Sequence, residues 1–276
     1  MSFYIIPSPV GNLDDFTIRA INTIEELDFL AVESKLSTKK LLKKYNLKIK
    51  SFVIYNDHSS EKDRNKIMNL LKEGKKGGII SEAGTPLVSD PGYKLISTLI
   101  KKNIKIIPLP GPTSVIPALV GSGLPTDRFC FFGFLPKKNN EIKKILAKCS
   151  ADIGTSIFFE SPHRIVSTLK IINNLFGNEA RICVAKEISK IHERFLRGTA
   201  SEILLDFNKD KDLLKGEFIL MVNLLSSDED TSIADKLFEN LSGRISNKEL
   251  AKLSSDITGI NKNFLYERFL SFSKKT

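Results

Sequence analysis

Short apolar runs alternate with helical stripes along the chain. Residues 3–6 form an apolar run closed by Pro7 and predict a first strand. Phe16, Ile18, Ile21, Ile24 and Leu27 then recur at helical spacing, so 16–27 predicts a helix. The alternation continues with strands at 29–32, 52–55, 78–81 and 104–108 and helices at 35–45, 61–73 and 93–102. A further helix is expected at 114–121, with Pro117 placed to bend it. Strands and helices alternating through short loops argue for βαβ units and a parallel sheet. In such sheets ligands bind beyond the carboxyl ends of the strands. After the break Gly121-Ser122-Gly123-Leu124-Pro125, strands are expected at 129–134, 156–160, 181–187 and 216–223, with helices at 137–148 and 164–176. Residues 226–231 are acidic and polar and predict a linker. Three helical patterns follow at 233–241, 246–253 and 261–269, and Ser246 with Glu249 fits a capping box. The last two flank Ile257-Thr258-Gly259, which suits either a helix-turn-helix or a small bundle packed on the core. The expected fold is α/β, with domains at 1–123 and 124–225 and a linker with a helical tail at 226–276.

Composition narrows the class. The chain has 276 residues, 41% apolar and 27% charged, an ordinary globular balance. No apolar run approaches the roughly 20 residues that cross a bilayer. Residues 1–9 carry no basic region, so no signal peptide is expected. Cys130, Cys149 and Cys183 are widely spaced and fit neither a disulfide framework nor a zinc site. The expectation is a cytoplasmic protein with no metal. Lys and Arg number 42 against 32 Asp and Glu, a net charge of +10. That points to a polyanion, RNA or DNA before membrane, although a lysine-rich solvated surface gives the same sum.

The loops after the strands carry the chemistry. There is no G-x-x-x-x-G-K-[ST] loop and no G-x-G-x-x-G after the first strand. The first strand instead runs into Pro7-Ser8-Pro9-Val10-Gly11-Asn12. Prolines remove N–H donors that a phosphate cradle needs, so a ligand without phosphates, or a plain rigid turn, fits better. The fourth strand runs into Ser81-Glu82-Ala83-Gly84-Thr85-Pro86-Leu87-Val88-Ser89-Asp90-Pro91-Gly92. Its glycines allow close backbone approach and its prolines fix the loop in advance, as a ligand loop requires. Asp90 also suits the cap of a helix starting near Pro91. The fifth strand ends in Pro108-Leu109-Pro110-Gly111-Pro112-Thr113-Ser114, where Thr113 or Ser114 is equally a helix cap. Three such loops can surround one cleft.

In these loops the chain closely resembles the bacterial 16S ribosomal RNA 2′-O-methyltransferase I family of the tetrapyrrole-methylase superfamily. Further matching stretches are Gly123-Leu124-Pro125-Thr126-Asp127-Arg128-Phe129, Gly133-Phe134-Leu135-Pro136, Phe159-Glu160-Ser161-Pro162-His163-Arg164, Ala185-Lys186-Glu187 and Lys215-Gly216-Glu217. Order and spacing agree from residue 3 to about 224, and Lys262-Asn263-Phe264-Leu265-Tyr266 resembles the family's C-terminal region. The resemblance implies two α/β domains with S-adenosylmethionine (AdoMet) between them, a homodimer, and methylation of the ribose 2′-oxygen of a cytidine in the decoding region of 16S rRNA or its 30S subunit. It also implies a cofactor site at Pro9, Gly84, Thr85, Pro86, Val88, Thr113 and Ser114, with Phe159 and Gly216 facing the adenine. Two positions depart from the family. Glu33-Ser34-Lys35-Leu36 stands where Glu-Asp-Thr-Arg is usual, and Glu82 stands where Asp is more common.

A ribose hydroxyl needs a proton acceptor to become a good nucleophile, which is worth about 10²–10⁴-fold. Glu33, Glu82 and Glu160 lie at or just past strand ends and are the catalytic candidates; each is also suited to a structural hydrogen bond. Lys35, Lys39 and Lys43 share a helix face and are candidates for RNA phosphates, or a solvated face. Lys137, Lys138, Lys143, Lys144 and Lys148 form a second cluster. Arg164, with His163 beside it, either holds a phosphate or opens the following helix. A tetrapyrrole or other small-molecule methylase and a non-catalytic RNA-binding factor remain alternative readings.

Overall fold

The computed structural model describes residues 1–149, 153–224, 232–260 and 262–273. They fall into two compact units, one ending at Asn223 and one built from the residues after it. The first unit holds two five-stranded sheets with helices, the expected α/β fold.

The first sheet contains β1 (Ser2–Ile6), β2 (Phe29–Val32), β3 (Ser51–Ile54), β4 (Gly77–Ile80) and β5 (Lys105–Pro108), in the order β3-β2-β4-β1-β5. All neighbours are parallel. Residues of β2 and β4 are buried throughout, as expected when helices cover both faces of a parallel sheet. Alternate side chains divide between the two faces. Phe3, Phe29, Val53 and Ile79 pack with Ile67 and Leu71 of α3 (Glu61–Lys72) and with Leu95 and Leu99 of α4 (Tyr93–Lys101). Ile6, Leu30, Val32 and Ile80 pack with Ala20 and Ile24 of α1 (Ile18–Glu25) and Leu42 of α2 (Lys35–Lys44). Full burial of each large side chain stabilises the fold by about 1.5–3 kcal/mol.

One expectation about a helix start is corrected. Asp90 does not cap α4: Gly92 holds that position at φ 137°, and no side chain bonds the helix start. Ser114 does precede α5 (Val115–Ser122), but its hydroxyl makes no cap bond either. Both side chains are therefore left for other work.

The second sheet contains β6 (Phe129–Phe134), β7 (Thr155–Glu160), β8 (Ala180–Lys186), β9 (Arg194–Gly198) and β10 (Phe218–Leu224), in the order β6-β7-β10-β8-β9. It is mixed: β6 and β7 run parallel, while β7–β10 and β8–β9 are antiparallel. Its helices are α6 (Asn139–Leu146), α7 (Ile165–Phe176) and α8 (Ala200–Lys209). The edge strand β9 and α8 were not among the expected elements. Arginines at 194 and 197 break the apolar pattern of β9, yet Thr199 and Glu202 form a capping box that marks the start of α8. Helix α5 ties the halves together. Val115, Ala118 and Leu119 pack on Ile157, Cys183 and Met221, and the Arg197 guanidinium donates to the carbonyls of Gly121 and Ser122 at the end of α5. A cation there also suits the helix dipole.

The second unit contains α9 (Ser232–Leu241), α10 (Asn247–Thr258) and α11 (Lys262–Ser273). Their core is built on Phe238, Leu250 and Phe269, with the Phe238 and Phe269 rings 5.1 Å apart. The capping box at Ser246 and Glu249 is present, and Arg268 grips both carboxylate oxygens of Asp235 at 2.8 and 2.7 Å. The expected linker at 226–231 lies outside the described residues.

The tightest fit in the first sheet lies between registered partners Phe29 and Gly77. A Cβ at residue 77 would stand 2.1–2.6 Å from atoms of the Phe29 ring, which is fully buried and has nowhere to retreat. Gly77→Ala is expected to destabilise the fold by about 1–3 kcal/mol. In urea unfolding the midpoint falls while the slope stays constant; an unchanged midpoint contradicts this packing.

Candidate active site

The loops following β1, β4 and β5 are knitted together by their own polar groups. Ser8 and Gly84 exchange two backbone hydrogen bonds, each 2.9 Å. The Ser8 hydroxyl donates to the Ser81 carbonyl at 3.0 Å, and the Ser81 hydroxyl donates to the Gly84 carbonyl at 2.8 Å. Thr85 Oγ1 donates to the Pro112 carbonyl at 2.8 Å, binding the second loop to the third. The first and third loops also touch directly: a Cβ at Gly111 would lie 2.8 Å from the Pro7 ring. Gly84 sits at φ 77°, a conformation glycine adopts without strain. Leu87 and Ser89 share the left-handed region at φ 73° and 64°, which disfavours each by roughly 1–2 kcal/mol. The loop is held in shape against that strain.

These loops form one wall of a cavity of about 280 Å³. That is close to the lower end of the roughly 300–1,000 Å³ typical of small-molecule sites. Val10, Gly84, Thr85, Val88, Ser89, Asp90, Thr113 and Ser114 line it from the first half of the chain. Phe134, Phe159, Ile188, Glu217 and Ile219 line it from the second. No lysine or arginine is among the described lining residues, whereas Asp90, Glu160 and Glu217 are. Glu160 is paired with Arg164 and Glu217 with Lys190, so Asp90 is the lining acid without an ion pair among the described residues, and such a wall suits a ligand without phosphate.

Of the residues expected to hold a cofactor, Gly84, Thr85, Val88, Thr113, Ser114 and Phe159 come together at this cavity. Pro9, Pro86 and Gly216 are not among the described lining residues, although their chain neighbours Val10, Thr85 and Glu217 are. Gly216 adopts φ 100°, and a Cβ there would meet the Glu187 side chain at 2.6 Å. Its part is to let two chain segments approach.

Glu160 and Arg164 take the structural alternatives that the sequence left open. The Glu160 carboxylate is fully buried. One oxygen accepts from the Ser161 backbone N–H at 2.7 Å and pairs with Arg164 at 2.6 Å. The other oxygen accepts from the Thr168 hydroxyl at 2.7 Å. Arg164 also donates to the carbonyls of Pro136 and Leu135 at 2.8 and 3.0 Å. A carboxylate bonded at both oxygens is poorly placed to take a substrate proton, and this guanidinium is already filled. Both side chains hold backbone instead.

The acids beyond β2, β3 and β4 behave differently. Burial, then the Asp90, Glu82 and Asp57 carboxylates, push Glu33 up to about 7, against a backbone hydrogen bond from Glu82 that pulls it down. Burial, then Asp57 and Glu82, push Asp90 up to about 6. Glu82 and Asp57 are exposed members of the group. Asp90 is the member that lines the cavity. The sequence marks Asp90 as part of a candidate ligand loop and also suits it to a helix cap, so it was not among the expected site residues.

Lys35, Lys39 and Lys43 are exposed along α2, which begins directly after Glu33 and its N-cap Ser34. Lys39 and Lys43 line a groove floored by Phe52, with the Lys39 Nζ 5.9 Å from that ring's centroid. Among the described residues none of the three pairs with a carboxylate.

Residues 2–204 match the family described as Tetrapyrrole (Corrin/Porphyrin) Methylases. The chain is 40% identical over 225 residues to the ribosomal RNA small subunit methyltransferase I of Hydrogenobaculum sp. (strain Y04AAS1), covering 81% of this chain and 96% of that one. It is 41% identical over 255 residues to the protein of the same name from Rickettsia prowazekii (strain Madrid E), covering 92% and 90%. Its fold is similar to the crystal structure of uroporphyrin-III C-methyl transferase from Thermus thermophilus complexed with S-adenyl homocysteine. That likeness has a TM-score of 0.53 at 15% identity over 81% of this chain and 97% of that one.

The raised acids give stability a pH dependence of known sign. From their ordinary values of 3.8 and 4.5 up to about 6 and 7, Asp90 and Glu33 hold protons in the folded state that the unfolded chain has released. Their favourable contribution is therefore complete below about pH 4 and lost as pH rises through 6 and 7. Between pH 5 and 8 the wild-type Tm is expected to fall more than that of the Asp90→Asn, Glu33→Gln double variant. Parallel Tm profiles would show that these carboxyls are not strained in the folded state.

Proposed function

The chain belongs to the tetrapyrrole methylase family, on the ribosomal RNA small subunit methyltransferase I branch, and from that premise we propose that it methylates the ribose 2′-oxygen of a cytidine in the decoding region of 16S rRNA, using AdoMet. The observation that carries this reading is the cavity where three rigid hydroxyl- and glycine-bearing loops meet an available carboxylate, Asp90. Asp90, the lining acid without an ion pair among the described residues, fits a cofactor with a positively charged sulfur, and the proline-rich loops fit one without phosphate. When bound, AdoMet supplies a methyl group already activated for displacement.

The chain's own residues then have two tasks, alignment and proton removal. Gly84, Thr85, Thr113 and Ser114 would hold the cofactor, with the Thr85 hydroxyl locked on Pro112 so that the loop does not move during the reaction. Fixed alignment of reacting atoms can contribute up to roughly 7–11 kcal/mol. Asp90 accepts the proton from the ribose hydroxyl, and Glu33, half-buried behind the same group of acids, shares the charge. An acceptor works best when its pKa lies near the working pH, as values of about 6 and 7 do. Glu82, exposed beside them, adds negative charge that keeps both high.

Lys35, Lys39 and Lys43 bind the RNA backbone. Because α2 starts where β2 delivers Glu33, a phosphate held on the helix brings its ribose towards the acids. Lys35 and Lys39 then supply positive charge near Leu36, which stands where the usual Glu-Asp-Thr-Arg stretch has its arginine. We further propose that the protein works in the cytoplasm as a homodimer. Ile116 and Val120, one turn apart on α5 and 44% and 68% exposed, are apolar surface of the kind a second copy covers.

The test is transfer of tritium from labelled AdoMet to 30S subunits from a strain lacking the enzyme. Label is expected on a ribose of 16S rRNA; no transfer despite AdoMet binding contradicts the reading. Asp90→Asn is expected to lower kcat about 10²–10⁴-fold with cofactor affinity kept. Equal activity of the variant would remove Asp90 from the mechanism. Replacing Lys35, Lys39 and Lys43 by Ala should flatten the plot of log affinity for rRNA against log salt by roughly 2 in slope, since each phosphate contact contributes about 0.7–0.9. An unaltered slope would return the three lysines to the solvated surface.

A further inference from the structure

One exposed residue of the cavity wall is aromatic. Phe134 ends β6 with 62% of its surface exposed, although it lines the same cavity as Asp90. Its ring leans on Phe159 at 5.1 Å, and Phe159 leans on Phe131 at 4.9 Å. The ring is thus backed from the protein side and open to solvent beyond.

The backbone that presents this ring is fixed from both directions. The register of β6 against β7 shifts between Phe131 and Phe134, and Gly133 stands at φ 71°. A bulge of this kind re-aims the following side chain. A Cβ at Gly133 would lie 3.3 Å from Ser89 Oγ, so the bulge sits against the residue next to Asp90. On the other side, the carbonyls of Leu135 and Pro136 are both held by Arg164, which is anchored on the buried Glu160. The ion pair thus has a purpose at this site: it clamps the strand end that carries Phe134.

We propose that the Phe134 ring is the platform on which the base of the accepting nucleotide stacks, an inference that rests on the rRNA reading above. A ribose inside a stacked helix cannot bring its hydroxyl to an enclosed carboxylate, so the nucleotide must be turned out and its base loses its neighbours. Protein aromatics replace that lost stacking in single-stranded RNA recognition. The inner ring, Phe159, with Val115 and Ile219, remains for the cofactor, while the exposed ring is left for the substrate. Phenylalanine has no hydrogen-bonding group, so it holds the base in place without selecting its type. Selection then falls to the surrounding RNA.

The test compares the wild type with Phe134→Ala and Phe134→Trp. Binding of 30S subunits is measured by filter retention in the presence of S-adenosylhomocysteine, and affinity for S-adenosylhomocysteine itself by calorimetry. The surface position makes folding of both variants straightforward to confirm by Tm. Loss of the ring is expected to weaken 30S binding about 10- to 100-fold, the range for loss of one base stack. The salt dependence should not change, because stacking releases no counterions. Phe134→Trp should bind within about threefold of the wild type, and S-adenosylhomocysteine affinity should be the same in all three. Weakened S-adenosylhomocysteine binding in Phe134→Ala would make the ring a cofactor wall and overturn the proposal, as would unaltered 30S binding. If the wild type neither binds nor methylates 30S subunits, the functional reading itself fails and the platform with it.

Discussion

Two backbone hydrogen bonds between Ser8 and Gly84 hold the loops of β1 and β4 edge to edge. The rest of the site depends on that bridge. These loops leave adjacent strands of a parallel sheet, and with nothing joining them they would fray as surface loops do. Both serine hydroxyls on the bridge turn inward onto loop carbonyls rather than outward to a ligand. Thr85 extends the same logic to Pro112 and brings in the loop after β5. These hydroxyls are thus spent on the shape of the loops, while Asp90, Thr113 and Ser114 face the cavity. The left-handed residues Leu87 and Ser89 show that the shape is imposed, because neither would adopt it unforced.

Charge is sorted by depth around this frame. Carboxylates gather at the strand ends, where partial burial and mutual repulsion raise Glu33 and Asp90 towards neutrality. Lysines lie outside on α2, fully in water, where each contributes little alone and several together hold a polyanion. The deepest ion pair, Glu160 with Arg164, takes no part in either layer. Partners removed from water are poor at chemistry and good at fixing backbone, and this pair fixes the end of β6. One constraint, burial, therefore separates three roles among residues of the same chemical types.

The first sheet was legible in the sequence because its strands are short apolar runs, closed by proline in β1 and β5 and by polar residues soon after the others, and its helices carry clear stripes. Strand β2 and helix α4 fall within a residue of where periodicity puts them. The three loops stood out because Gly, Pro and hydroxyls cluster at the ends of their strands. What sequence hid was side-chain destiny. Pro91-Gly92 after Asp90 has the form of a capped helix start, but Gly92 takes the cap and frees the acid. Phe134 looked like one more apolar strand residue, because a bulge changes direction without changing composition; Gly133 was its only mark. Glu160 and Arg164 stand at i, i+4 spacing, an ion-pair signal that the pull of a catalytic role outweighed. Strand β9 was lost among arginines, one of which serves α5 rather than the sheet.

The central claim is that the cavity is assembled before any ligand arrives. Hydrogen exchange at the amides of Ser8 and Gly84, with and without S-adenosylhomocysteine, tests it most directly. A preformed bridge predicts that both amides are already strongly protected in the free protein, with little further slowing when the ligand binds. Rapid exchange of both in the free protein, with protection only on addition of ligand, would mean that the ligand builds the site and would contradict the account.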